Sequence, residues 1–402
     1  MPRKNIPFIF LFLIAVSLSL AAAGCGQRAA QPAAPGKPYQ TIKVGAIFDV
    51  TGTGSTLGVP AEQSARMVVE KINAEGGING IPLEVVFLNN ESVEDRSVLA
   101  FNRLVGEDKV LAVAGASQSG TTLAMVPAAT EAEVPLVSAA AAVSIVEPQP
   151  DRRWIFKVAP NDSHVISRTL QHMLDNGIKR IAWLSVNNAF GHSGKKQLEL
   201  LAPQMGIEVV QTETFEAQDA DMRVQLTRIN AARPDAVFVW GLPPAASIIT
   251  RNFRELGLKM PLYHSHGVGS RRFLDLAEGT ADGVMFAIGP LIVAEQIADA
   301  HLQKPVLLEY IRLFEGKHGP RSTFGAHGYD AMMLIVRALK NTTLTGDVTK
   351  DRALLRDEIE KIQDYVGIGG IFSFSPTDHV GLNAEDLVMV RVENNEWKLI
   401  AE

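Results

Sequence analysis

Residues 115–142 read GASQSGTTLAMVPAATEAEVPLVSAAAA. Four hydroxyl side chains, Ser117, Ser119, Thr121 and Thr122, crowd a small-residue turn that runs into a helical pattern over residues 121–132. At a helix N-terminus the first backbone N–H groups have no helical acceptor and the dipole favours negative charge. Donors of both kinds with little bulk around them suit a carboxylate or another small polar group. Hydroxyls in these positions also cap helices without binding anything. The stretch by itself leaves both roles open.

Other constellations fail on spacing. Gly52, Gly54 and Gly58 follow a strand pattern, but they are one residue too long for a dinucleotide fingerprint. The next strand ends in Asn89 and Asn90 rather than an acid. Residues 191–195 lack the length and the Ser/Thr of a phosphate loop, and residues 115–119 lack the final glycine of a nucleophile elbow. His264 and His266 place two imidazoles on the same face of a strand pattern, without a third metal ligand near in sequence. No nucleophile–base pair emerges. The expectation is therefore a binding protein, not an enzyme, with no catalytic residue, metal or cofactor.

The elements that must carry the hydroxyl turn alternate. An apolar run at 110–114 reads as a buried strand, then turn, helix, a second strand at 134–137 and another small-residue turn at 138–142. Upstream come a strand at 42–50, a Gly-rich turn at 51–59, a helix at 60–74 ended by Gly76 and Gly77, a strand at 83–88 and a helix at 96–106. This βαβαβ order predicts an α/β fold with a parallel sheet, whose ligands sit at the carboxyl ends of the strands. A second series begins after residues 158–161. It has helices at 163–176, 193–204, 220–232 and 245–256, and strands at 180–186, 207–214, 236–240 and 261–265. Helical patterns at 305–315 and 326–339 and two short strands at 386–392 and 397–400 complete the chain.

Composition sets the outer bounds. A chain of 402 residues with 47% hydrophobic content has room for two α/β cores. A net charge of −6 without a basic cluster argues against nucleic acid or an anionic membrane surface as a partner. At the start, Arg3 and Lys4 precede an apolar run at 6–20, then small residues and Cys25, the only cysteine. That order is similar to a bacterial lipoprotein signal, with Ala22 where Leu is usual. It implies a lipidated Cys25 and an exported, membrane-anchored protein. Residues 26–40 read as a disordered tether, spanning roughly 20 Å as a flexible coil.

Three segments together resemble a known family. They are Lys43 to Ile47, the pairs Thr51–Gly52 and Leu57–Gly58, and above all INAEGGINGIPLEVV at 72–86. These resemble the branched-chain amino acid-binding type of ABC-transporter substrate-binding protein, and residues 113–142, 180–194 and 372–381 continue the match. The resemblance implies two Rossmann-like lobes of the type I periplasmic binding fold, joined by three crossovers. Lobe I would comprise 41–158 plus 289–372, and lobe II 159–288 plus 373–402. It also implies closure on a ligand in the cleft and delivery to an ABC permease with its ATPase subunits.

The same resemblance assigns the site. Ser119, with Ser117 and Thr121 beside it, would bind a ligand carboxylate. Residues 140–142 would add backbone groups from Ala140 and Ala142, and Leu57 and Phe190 would line the body of the cleft. Three positions depart from the family. Ala142 stands where a hydroxyl is usual, Phe190 where Tyr is common, and His266 where amino-acid binders carry an acid for the α-ammonium. A buried ammonium facing an imidazole instead of an anion would cost several kcal/mol. The expected ligand is therefore an aliphatic or aromatic carboxylate without an α-ammonium. A His266 of ordinary pKa would then bind it less well as pH rises from about 6 to 8. The alternatives are a standard branched-chain amino acid binder and a ligand-sensing receptor of the same fold.

Overall fold

Two sheets, the first parallel and the second mostly so, each have their own core. The computed structural model describes residues 38–149 and 151–400. The expected signal at 1–25 with Cys25, and residues 26–37 of the expected tether, lie outside the described residues. Tyr39, at the end of that tether, donates its hydroxyl to Asp351 at 2.6 Å.

The first sheet is built from β1 (Ile42–Phe48), β2 (Leu83–Asn89), β3 (Val113–Gly115), β4 (Leu136–Ser138) and β5 (Ile155–Lys157). All are parallel, in the order β2-β1-β3-β4-β5. Helices α1 (Ser55–Ala74), α2 (Glu94–Gly106) and α3 (Ser119–Glu131) connect them. Helix α1 buries Leu57, Ala61, Ala65, Val68 and Ile72, the 3–4 spacing of one helical face.

After α4 (Asp162–Asp175) the pattern repeats with β6 (Arg180–Val186), α5 (Ala189–Gln204), β7 (Glu208–Phe215), α6 (Arg223–Ala231), β8 (Ala236–Trp240), α7 (Ala245–Glu255), β9 (Leu262–His264), α8 (Arg271–Ala277) and β10 (Met285–Ile288). Helices α9 (Lys304–His318), α10 (Thr323–Asn341) and α11 (Val348–Glu360) come next, then the short pair β11 (Tyr365–Val366) and β12 (Ile371–Phe372). Finally β13 (Val388–Glu393) and β14 (Glu396–Leu399) add antiparallel to the second sheet, whose order is β14-β13-β10-β9-β8-β6-β7. Both sheets reverse strand order beside their first strand, at β1/β3 and at β6/β8. Doubly wound sheets bind ligands at such switch points.

The first core contains Phe48, Phe101, Phe156 and the inner face of α10, and the second contains Trp183, Phe238 and Trp240. Phe374, Val380 and Leu382 pack into the first core, and the second resumes at Leu387. Helices α1 and α10 touch at Gly328, where a Cβ would lie 2.1 Å from the Ala61 carbonyl oxygen. No helix among the described residues is long and apolar enough to cross a membrane.

Several elements differ from the sequence expectations for local reasons. Helix α1 starts at Ser55, so the expected Gly-rich turn supplies its first turn and Leu57 becomes a helical, buried residue. Strands β5 and β10 have three and four residues, too short to show a period. Helix α11 is fixed partly by its buried Asp351, which accepts from Tyr39 and from the Thr345 N–H at 2.8 Å.

A second buried acid fastens the turn between β11 and β12. Asp330 on α10 is fully buried and accepts the N–H groups of Ile368 at 2.9 Å and Gly369 at 2.6 Å. Burial pushes its pKa up to about 7, against the pull of these two donors. The folded state therefore holds the Asp330 proton that the unfolded chain has released, and this contribution to stability is lost as pH rises from about 4 to 7. Thermal unfolding of wild type and Asp330→Asn across this range should show the wild-type advantage shrinking with pH. A difference constant from acid to alkaline pH would mean that Asp330 is ionised in the fold.

Candidate ligand-binding site

The site begins beneath the hydroxyl turn. Asp49, directly after β1, is fully buried and accepts the N–H groups of Ser117 at 2.7 Å and Gln118 at 3.2 Å through Oδ2. Thr121 Oγ1 donates to its Oδ1 at 3.1 Å. Burial raises the Asp49 pKa, and these donors oppose the rise. The turn between β3 and α3 is thus held from below by a carboxylate, and Thr121 aims its hydroxyl inward.

None of the four hydroxyls caps α3. Its N-cap is Gln118, which makes no side-chain cap bond. The N–H groups of Ser119, Gly120 and Thr121 have no intrahelical acceptor by their position. Ser119 Oγ accepts the Ala142 N–H at 3.2 Å, which leaves its own proton to donate. Ser117 Oγ is buried without a hydrogen-bond partner. This costs on the order of 1–3 kcal/mol unless something enters the cavity to satisfy it.

These groups open onto a cavity of about 220 Å³ between the two sheets. Leu57, Ser117, Ser119, Thr121, Ala140, Phe190 and His266, all expected from the sequence, line it together. Ala142 does not reach the wall; it lies fully buried behind Ser119. The Ala141 carbonyl accepts from the ammonium of Lys157, which is fully buried behind the turn. Burial pushes the Lys157 pKa down to about 7, with Asp162, Glu147 and Asp378 pulling the other way.

The opposite wall comes from the second sheet. Asn188 caps α5 by accepting the N–H groups of Phe190 at 3.1 Å and Gly191 at 3.2 Å. Trp240 donates its indole N–H to the Phe190 carbonyl at 3.1 Å and packs along Gly194, where a Cβ would lie 2.5 Å from the indole. Phe190 is therefore fixed at both ends. The His266 ring meets Phe190 and Trp240 edge to face, each with centroids 5.7 Å apart.

His266 differs from expectation in two respects. Strand β9 ends at His264, whose Nε2 lies 3.1 Å from Thr250 Oγ1 in the core beside Phe273, while His266 begins a 3₁₀ turn facing the cavity. The two imidazoles thus do not share a strand face. Nor is the His266 pKa ordinary: burial, then repulsion by the charged forms of His327 and Lys157, push it down to about 3. His266 therefore does not supply the expected loss of anion affinity from pH 6 to 8 in the unliganded protein. His266 presents a neutral ring whose Nδ1 is buried without a hydrogen-bond partner.

Sequence reasoning missed Phe324 and His327, which line the cavity from the first turns of α10. Burial pushes the His327 pKa down to about 4, so this ring is also neutral. Their only signal was an aromatic and an imidazole three residues apart near a helix start. It also missed Glu94, the only acidic residue in the wall, which is exposed and whose Oε1 would lie 2.4 Å from a Cβ on Gly120.

NMR can check the histidines. The ring C–H resonances of His266 should not move between about pH 5.5 and 8. A titration centred near the ordinary histidine value would contradict the burial described here.

Comparison with known proteins places this architecture. Residues 41–396 match the family model described as periplasmic binding protein. A leucine-, isoleucine-, valine-, threonine- and alanine-binding protein of Pseudomonas aeruginosa is 23% identical over 304 residues, covering 75% of this chain and 78% of that one. An extracellular ligand-binding receptor from Rhodopseudomonas palustris superposes with a TM-score of 0.83 at 26% identity, covering 89% of this chain and 99% of that chain. The branched-chain amino acid transporter substrate-binding protein LivJ of Streptococcus pneumoniae, in complex with isoleucine, gives 0.77 at 26% identity, over 90% and 99% of the chains. With its two doubly wound sheets and a cleft at both switch points, the chain belongs to the branched-chain amino acid-binding family of ABC-transporter substrate-binding proteins, which have the type I periplasmic binding fold.

Proposed function

We propose that this protein is an extracytoplasmic substrate-binding protein of an ABC importer whose ligand is a carboxylate without an α-ammonium group. The observation that carries this reading is the charge of the cavity wall. It holds two neutral imidazoles, two phenyl rings and two leucines, and its single acidic side chain, Glu94, is exposed. Asp49 lies one layer deeper, with its oxygens already hydrogen-bonded. A ligand carboxylate would accept from Ser119 Oγ, Ser117 Oγ and the first N–H groups of α3. Charge-assisted bonds of this kind are roughly twice as strong as neutral ones. An ammonium would gain one lone pair from His266 and only the solvent-screened charge of the exposed Glu94.

Binding, release and delivery to a permease need no bond made or broken, and the wall offers no nucleophile with a base beside it. Lipidation of Cys25 would keep the protein at the membrane. Cys25→Ala should then move it from the membrane fraction to the soluble exported fraction; membrane association unchanged in that variant would refute the anchor.

Glu94 favours a second reading, an ordinary branched-chain amino acid binder, because its exposed carboxylate stands at the cavity mouth. Thermal shift separates the two. A ligand of the folded state at 100 times its Kd adds about 2.7 kcal/mol. 4-Methylpentanoate should raise the melting temperature and leucine should not, and Ser119→Ala should remove the rise. Stabilisation by leucine alone, abolished in Glu94→Gln, would replace the carboxylate reading with the amino-acid one.

A further inference from the structure

Outside the inner cavity the cleft widens into a second chamber of about 530 Å³. The two adjoin, since both are walled by Thr53, Gln118, Asn188 and Leu242. The outer chamber is largely apolar where it meets the second sheet, with Phe215, Pro243, Pro244 and Leu276 in its wall. No acidic side chain lines it, and its only ionisable residue is Arg272.

Arg272 differs from its neighbour. Arg271 is tied to Asp275 at 3.2 Å and to Glu396 at 3.1 Å. Arg272 is exposed, and among the described residues no ion pair or hydrogen bond holds its guanidinium. A guanidinium offers a planar fork of donors that fits a carboxylate with two parallel bonds. The cleft therefore presents, in succession, hydroxyl and N–H donors at α3, a mostly polar passage, the apolar side of the outer chamber and an uncommitted cation. That succession is complementary to a chain with an anionic group at each end.

We propose that the outer chamber is a second subsite, in which Arg272 binds the distal carboxylate of an extended α,ω-dicarboxylic acid whose proximal carboxylate sits at Ser119. This rests on the carboxylate reading of the inner cavity and adds a length and a second charge to the ligand. Because Arg272 is exposed, its attraction is screened by salt and its effect is moderate.

Isothermal titration at low ionic strength tests the subsite, with adipate, suberate and sebacate set against hexanoate, octanoate and decanoate. For at least one length the dicarboxylate should bind roughly 2- to 5-fold tighter than the monocarboxylate, as one exposed ion pair allows at low salt. In Arg272→Gln that advantage should vanish while monocarboxylate affinity stays unchanged. High salt should reduce it in the wild type. Monocarboxylates that bind while no dicarboxylate gains, or a gain that survives in Arg272→Gln, would overturn the subsite and leave the inner reading intact. If neither series binds, the carboxylate reading itself fails, and the subsite with it.

Discussion

The buried carboxylate of Asp49 is the constraint on which the cleft depends. It gathers two backbone N–H groups and a hydroxyl from a turn otherwise made of small residues, and so joins the end of β1 to the start of α3. Glycines crowd around it for this reason: a Cβ on Gly58 would lie 2.2 Å from the Asp49 carbonyl oxygen, and one on Gly54 2.8 Å from its Cβ. Removing the carboxylate would leave buried donors unpaired, at a cost of about 1–3 kcal/mol each. With the turn fixed from below, Ser119 and the N–H groups after it point into the cleft. The same arrangement withholds the Asp49 charge from a ligand, because its oxygens already accept on the protein side.

The second wall obeys a different constraint, that of ring packing. Trp240 holds the Phe190 backbone through its N–H and lies against Gly194, and Phe190 and Trp240 then pack against the His266 ring. Desolvation among these rings keeps His266 neutral, so the residues that line the inner wall include no charged cation near neutral pH. The cations of the region lie elsewhere. Lys157 is behind the Ala141 carbonyl and Arg272 is in the outer chamber. His266 and His327 also line a small cavity of about 10 Å³ beside Pro160, Gly289 and Gly369. Asp330 fastens the last of these segments, the turn between β11 and β12, to α10, so that turn and the ligand wall are neighbours in the fold.

Much of this was legible in the sequence because it depends on local pattern. Strands β6 and β8 have the limits that their apolar runs indicate, and the hydroxyl turn stands where a helix start and a strand end meet. What was not legible depends on distance along the chain. Asp49 is a single acid after a strand, and nothing nearby shows that it will meet residues 117–121. Phe324 and His327 lie about 60 residues after His266, on a helix whose apolar pattern explains most of its residues as core. The His266 pKa was unreadable for the same reason, since the rings that desolvate it come from α5 and β8. Strand β5 also went unread, because its short apolar run is broken by the buried Lys157.

The central claim is that the cavity accepts a carboxylate and excludes an α-ammonium. The most direct measurement is mass spectrometry of small molecules released by denaturing protein purified from its native host. The account predicts a carboxylic acid without an α-amino group, absent from material prepared with the Ser119→Ala variant. Release of leucine, isoleucine or valine in stoichiometric amount would contradict it.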